Sequence, residues 1–277
     1  VRLGPRVPGT EAHDTLARTV EERLRAHGAE VTVQDFPVEF RGAVLRCRNV
    51  VGVFRAEGLA EAPPLLVGTH YDTRIRADRE SDDTRRELPI PGANDGGSGT
   101  AVLLHLLPRL AGHRRARDVA MAFFDAEDLG NIDGKDFALG AEWLAGHPLP
   151  GFAPAEVVVL DMVGGKGMVL DIDAHIIDHA PSRRLTTALF HIGMAGGWDP
   201  FVCDKKDRLK YIVSDHTPFA RRGIPACILI DIDYPEWHTQ ADLPRAMSAA
   251  SLGIIEEALW LFLTAPPVSV PRGSPGT

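Results

Sequence analysis

Apolar positions along this chain recur in two ways. Leu16, Val20 and Leu24 repeat at helical spacing after Thr10, which predicts a helix capped by that threonine and ended near Gly28. TAVLLHLLPRL (from Thr100, with Ser98 as its cap and Pro108 limiting its length), LGAEWLAG, SRRLTTALFHIGMAGG and SLGIIEEALWLFL predict further helices. The remaining runs are short and continuous. VTVQDFPV, RCRNVVGVF, PPLLVGTHYD, VAMAFFD, EVVVLDMV and ACILIDI predict strands, with MVLDID as one more. Runs such as VAMAFFD, apolar throughout and bounded by charge, fit strands buried on both faces. Strands alternating with helices predict an α/β fold, a mostly parallel central sheet flanked by helices.

Between these runs, residues 74–94 are polar and charged, which predicts a long loop of the kind that is functional or disordered. A Pro/Gly/Ser-rich stretch, 266–277, reads as a flexible tail after a single domain spanning 1–265.

Composition narrows the function classes. The 277 residues suffice for a substantial core, and the formal net charge of −8, from 30 basic and 38 acidic residues, argues against a nucleic-acid partner. No stretch is long and apolar enough to predict a membrane span. Cys47, Cys203 and Cys227 lack the close spacing of a zinc knuckle or redox motif, and Cys227 reads as a small core residue.

Five segments end or interrupt apolar runs with metal-binding or acid/base residues. They are LLVGTHYD (His70, Asp72), PGANDGGSG (Asp95), VAMAFFDAED (Glu127, Asp128), VVVLDMVGG (Asp161) and YPEWHT (His238). Each alone has a bland explanation: Asn-Asp-Gly forms Asx turns, and a lone histidine is more often a surface residue than a ligand. Ligands of parallel sheets bind beyond the carboxyl ends of the strands, so the residues following these runs should gather at one edge. Imidazole nitrogen and carboxylate oxygen are donors suited to Zn²⁺. Adjacent Glu127 and Asp128 would point in different directions, one toward a metal and one toward a substrate proton.

GTHYDT, GANDGGSGTA, FFDAED, LDMVG, SDHTPF and WHT, in this order, resemble the zinc aminopeptidase and glutaminyl cyclase family. The likeness runs from GPRVPGTEAH to WHTQADLP, and the long insertion RIRADRESDDTRRELPIPGANDGG, FFDAEDLG and YPEWHT look like the bacterial glutaminyl cyclase branch. It implies a zinc exopeptidase-like three-layer α/β/α fold. It also implies zinc held by Asp95, Asp128 and His238, with Glu127 transferring protons. Asp161 would hydrogen-bond Glu127 in a cyclase, or join His70 at a second zinc in an aminopeptidase. Trp237 and Phe137 would wall the substrate pocket, and Ser214, Asp215 and His216 would support it. Two positions depart from the cyclase pattern: Ser214 stands where cyclases carry an acid, and Phe137 where bacterial cyclases carry tryptophan.

The implied activity is an acyl transfer that converts N-terminal glutamine of a peptide or protein to pyroglutamate, releasing ammonia with one zinc. The alternative is dizinc hydrolysis of N-terminal residues. A non-catalytic binding module ranks last, because no implied residue is missing. The resemblance leans toward export, to the periplasm or cell exterior, and leaves the oligomeric state open.

Overall fold

The computed structural model describes residues 3–58, 60–201 and 208–265; Cys203 and the 266–277 tail lie outside them. In chain order its helices are α1 Glu11–Ala26, α2 Asp83–Arg86, α3 Gly97–Ala111, α4 Leu139–Gly146, α5 Ala180–Ala195, α6 Thr217–Arg221 and α7 Ala249–Thr264. Its strands are β1 Glu30–Phe40, β2 Ala43–Phe54, β3 Leu65–His70, β4 Val119–Phe124, β5 Glu156–Asp161, β6 Ile172–Asp173, β7 Leu209–Lys210 and β8 Ala226–Ile230.

A six-stranded sheet runs in the order β1-β2-β4-β3-β5-β8. β4, β3, β5 and β8 pair in parallel, while β1 and β2 add an antiparallel edge. That edge is a hairpin closed by Arg41 (φ 50°) and Gly42 (φ 76°). Two consecutive positive φ values make the primed turn whose twist matches the strands.

Successive side chains of the parallel strands alternate between two cores. Leu65, Val67, Met121, Phe123, Val158 and Leu160 join α1, α3, α5 and α7 on one face. Leu66, Ala120, Ala122, Phe124, Val157 and Val159 join α4 and α6 on the other. The result is the three-layer α/β/α architecture expected, with both faces of the four parallel strands buried.

Several local expectations change. α3 is capped by Gly96 in the left-handed region rather than by Ser98. The Ser98 hydroxyl instead donates to the Asn94 carbonyl (2.6 Å) and accepts from Val163 N (3.0 Å), tying two loops together. Pro108 does not stop α3, which runs on to Ala111 because the proline falls in its last turn. Of MVLDID only Ile172–Asp173 is strand, paired with β7 in a separate two-stranded sheet. The 74–94 loop contains one helical turn, α2, capped by Asp82. Cys47 and Cys227 are free and buried.

α3 lies close to the sheet because Gly99 has no side chain. A Cβ there would stand 2.1 Å from Thr69 Oγ1 and 2.9 Å from the Leu160 carbonyl oxygen. Gly99→Ala is therefore expected to destabilise the fold by about 1–3 kcal/mol. Urea unfolding should show a lower midpoint with an unchanged slope.

Candidate metal centre

The carboxyl ends of β3, β4 and β5 deliver the reactive side chains to one edge of the sheet. His70 is the last residue of β3 and Asp161 the last of β5, while Glu127 and Asp128 follow β4. Asp95 comes from the loop before α3, and His238 from the segment after β8. Residues 95, 128 and 238, remote in sequence, are each at most 5 % exposed.

Two triads can be drawn from these atoms. Asp95, Asp128 and His238 place one ligand atom each within 4.8 Å of the others, and so do His70, Asp95 and Asp161. Asp95 belongs to both. In the first triad His238 Nε2 stands 3.3 Å from Asp128 Oδ1 and 3.6 Å from Asp95 Oδ2. In the second His70 Nε2 stands 3.2 Å from Asp95 Oδ1 and 3.4 Å from Asp161 Oδ1.

The first triad fits a zinc ion. Its donors are one imidazole nitrogen and two carboxylates, leaving room for a substrate atom in a fourth position. Asp95 Oδ2 and Asp128 Oδ2 are buried without a hydrogen-bond partner. Such orphaned acceptors are costly unless a cation satisfies them. Burial and then the Asp128 charge push the Asp95 carboxyl up to about 7. Burial works against a charged His238, yet hydrogen bonds with Asp128 and Asp78 outweigh it and raise the imidazole to about 9.

Glu127 belongs to neither triad. It is 4 % exposed, and burial holds its carboxyl well above the ordinary range; His70 opposes this, and Asp215, Asp161 and Asp128 reinforce it. Such a carboxyl is suited to receiving and returning a proton. Asp161 accepts a hydrogen bond from Ser214 Oγ (3.0 Å) on Oδ2.

Asp95, Glu127, Asp128, Asp161 and His238 line a cavity of about 600 Å³. Trp237, Phe137, Met162, Ile212, Ile230 and Ile232 supply apolar wall around Glu127. The Arg79 guanidinium lies 3.8 Å from the Trp237 ring centroid. Ser214, Asp215 and His216 are not among the lining residues of this cavity. They stand behind its wall: Ser214 on Asp161, and His216 Nε2 on Asp173 Oδ2 at 2.8 Å. Asp215 is fully buried with both carboxylate oxygens unpartnered, and burial raises it well above the ordinary range.

Backbone strain concentrates here. Ala126 (φ 54°), Met162 (φ 47°) and His238 (φ 57°) are non-glycine residues in the left-handed region, beside or within the site. Each such conformation costs on the order of 1–3 kcal/mol and persists only when its surroundings enforce it.

The model of peptidase family M28 matches residues 49–263. The chain belongs to peptidase family M28. It is similar to solved structures of glutaminyl cyclases and zinc exopeptidases. The glutaminyl cyclase of Tannerella forsythia is 28% identical with a TM-score of 0.84, covering 95% of this chain and 93% of that one. A leucine aminopeptidase precursor from Bacteroides thetaiotaomicron is 26% identical with a TM-score of 0.85, covering 95% and 92%. A Zn-dependent exopeptidase from Parabacteroides distasonis is 25% identical with a TM-score of 0.85, covering 95% and 93%. No curated protein matches the sequence.

This M28 chain also surrounds the triads with residues that sequence reasoning missed or left without a role. Asp72 Oδ1 is 3.4 Å from His70 Nδ1, where it can orient the ring. The same carboxylate also accepts from Glu127 N (3.2 Å) and Asp128 N (3.1 Å), fixing the turn that carries both. Asp78 meets His238 Nδ1 at 3.1 Å and is itself held by Arg74, which also donates to the Asp128 and Gly130 carbonyls. Buried Asp125 meets His13 Nε2 at 2.8 Å and accepts from Arg48 N at 2.7 Å. The Arg74/Asp78 spacing of four was the one available signal, hidden in a charge-rich loop.

Proposed function

We propose that the protein is a zinc-dependent glutaminyl-peptide cyclotransferase, converting an N-terminal glutamine to pyroglutamate with release of ammonia. The observation that carries this reading is the unequal state of the two triads. In the first triad Asp95 Oδ2 and Asp128 Oδ2 are buried without a hydrogen-bond partner. In the other triad the Asp161 oxygens are already taken, Oδ1 by His70 and Oδ2 by Ser214. That inequality favours one ion, which suffices for cyclisation, over the two that the aminopeptidase alternative uses. The likeness to the Tannerella forsythia cyclase over nearly the whole chain supports it.

Asp95, Asp128 and His238 would hold the ion. When bound, it supplies Lewis acidity toward the carbonyl oxygen of the glutamine side-chain amide. The reacting amine and amide belong to the same residue, so the pocket's task is to fold the side chain back on the α-amine. Phe137 and Trp237 with the neighbouring isoleucines would exclude water that could compete as nucleophile. A bond forms between the α-nitrogen and the side-chain carbonyl carbon, and the bond from that carbon to the amide nitrogen breaks. Glu127 takes the proton from the attacking amine and passes it to the departing nitrogen, which leaves as ammonia. Asp161, steadied by Ser214, would fix the direction of Glu127.

The test is product chemistry on a peptide such as Gln-Ala-amide. Ammonia release with the Gln–Ala bond intact is expected; release of alanine amide instead would assign the dizinc aminopeptidase reaction. The reading includes a periplasmic or extracellular location, which fractionation of the producing cell tests. Among the described residues no helix is long and apolar enough to cross a membrane.

A further inference from the structure

We infer that Arg6 and Asp242 are positioning residues, a two-sided clamp on the loop that carries Asp95, and that through it they set the affinity for the metal ion. The inference rests on the reading of Asp95 as a ligand.

Both residues are charged and buried, Arg6 at 5 % exposure and Asp242 at 0 %. A buried guanidinium and a buried carboxylate ordinarily pair. Among the described residues no ion pair joins these two; each is spent on main-chain groups, largely of the same loop. Asp242 Oδ1 accepts from Asn94 N (2.8 Å), and Oδ2 accepts from Asp95 N (3.1 Å). Its own carbonyl accepts from Ala93 N at 3.2 Å. Tyr234 fixes the carboxylate from the other side, donating its hydroxyl to Oδ1 at 3.0 Å.

Arg6 holds the opposite polarity. Nη2 donates to the carbonyls of Gly92 (2.7 Å) and Asp95 (3.3 Å), and Nη1 to those of Pro91 (3.1 Å) and Gly4 (3.3 Å). Nε donates to the Tyr71 carbonyl (2.9 Å), one residue past His70. The amide of Asp95 is therefore gripped by one charge and its carbonyl by the other.

The loop needs such a grip. Gly92 (φ 62°), Gly96 (φ 70°) and Gly97 bracket Asp95, so the local backbone has little stiffness of its own. The glycines are dictated by the packing of the clamp. A Cβ on Gly92 would lie 3.0 Å from Arg6 Nη2 and 2.8 Å from the Asp95 carbonyl oxygen; one on Gly96 would lie 2.4 Å from the Asp72 carbonyl oxygen. Zinc–oxygen bonds tolerate only a narrow range of lengths. A ligand on a glycine-flanked loop must therefore be located by groups outside the loop. Asp95 is common to both triads, so its position bears on any ion bound at this edge.

The experiment compares Asp242→Asn, Arg6→Gln, Arg6→Lys and Tyr234→Phe with the wild type in two measurements. One is zinc affinity, by competition with a chromophoric chelator; the other is the unfolding midpoint of the zinc-free chain. Partners that orient ligands typically change affinity by about 10–100-fold, and Asp242→Asn and Arg6→Gln are expected to weaken zinc by that amount. Arg6→Lys keeps the charge but loses the fork, and should fall between Arg6→Gln and wild type. Tyr234→Phe removes one bond to Asp242 and should weaken zinc in the same direction but less. In the double variant Arg6→Gln/Asp242→Asn the losses should combine to less than their product, since both act through one loop.

Wild-type zinc affinity in these variants, with only a lowered midpoint, overturns the proposal and leaves the pair a fold-stabilising contact. If Asp242→Asn fails to fold, Arg6→Lys and Tyr234→Phe decide by the same criterion. Asp95→Asn separates the two levels of inference. Unchanged zinc affinity there would remove Asp95 as a ligand, and the clamp's function with it. Lost affinity there with intact affinity in the clamp variants would refute the clamp alone.

Discussion

Glu127→Gln is expected to lower turnover by roughly 10²–10⁴-fold, the range over which a positioned acid/base group contributes. Zinc content and unfolding midpoint should stay near wild type. The substitution keeps the side chain's volume and removes only its ability to carry a proton. Glu127 contributes to neither triad, so the ion should remain. A neutral amide also suits this environment, because burial already disfavours the ionised carboxylate. The measurement is steady-state kinetics beside zinc counting on the same sample. Turnover within a few-fold of wild type at full zinc occupancy would show that another group moves the proton. Lost zinc would show instead that Glu127 supports the ion.

The sheet and the convergence at its edge were legible in the sequence because both follow from period. VAMAFFD and EVVVLDMV are too apolar for a half-exposed strand, and the residues ending such runs must share the carboxyl edge of a parallel sheet. Helices with a clear apolar stripe and cap were also legible: Thr10 caps α1 by accepting from His13 N, as its position suggested. Elements whose role is set by distant partners were not. Ser98 looked like a cap, but its hydroxyl is committed to Asn94 and Val163, the latter 65 residues away. MVLDID has strand composition, yet most of it lacks a neighbouring strand to pair with.

The same division runs through the site. Residues in apolar contexts, such as His70 and Asp161, were conspicuous because a polar group ending a buried strand needs a reason. The groups that hold them in place carried no local signal. Asp242 lies 147 residues from the Asp95 amide it accepts from, and Arg6 lies 86 from the Gly92 carbonyl. Asp78 sits among so many charges that its contact with His238 has no signature in one dimension. Sequence patterning thus pointed to the residues that gather at the sheet edge, while long-range hydrogen bonds from unremarkable positions fix where they stand. Strain at Ala126, Met162 and His238 is of the same kind, since no residue type there advertises a positive φ.

Zinc is expected to stabilise the wild-type chain by about 4 kcal/mol at a thousandfold excess over its dissociation constant, by mass action alone. At roughly 2–4 °C per kcal/mol, the zinc-dependent rise in Tm should be about 10 °C. Asp128→Asn should abolish most of that rise and reduce activity to background. Its charge is needed to offset the cation, and its Oδ2 is one of the first triad's two unpartnered acceptors. Asp161→Asn should behave differently. Its oxygens are engaged by His70 and Ser214, so the rise in Tm should survive while turnover falls through misdirection of Glu127. Thermal unfolding with and without zinc, beside metal analysis, distinguishes the two cases. Equal loss of the thermal shift in both variants, with wild-type protein holding two ions, would replace the one-ion cyclase reading with the dizinc peptidase. The pair therefore tests how the site divides its carboxylates, two for the ion and one for the proton carrier.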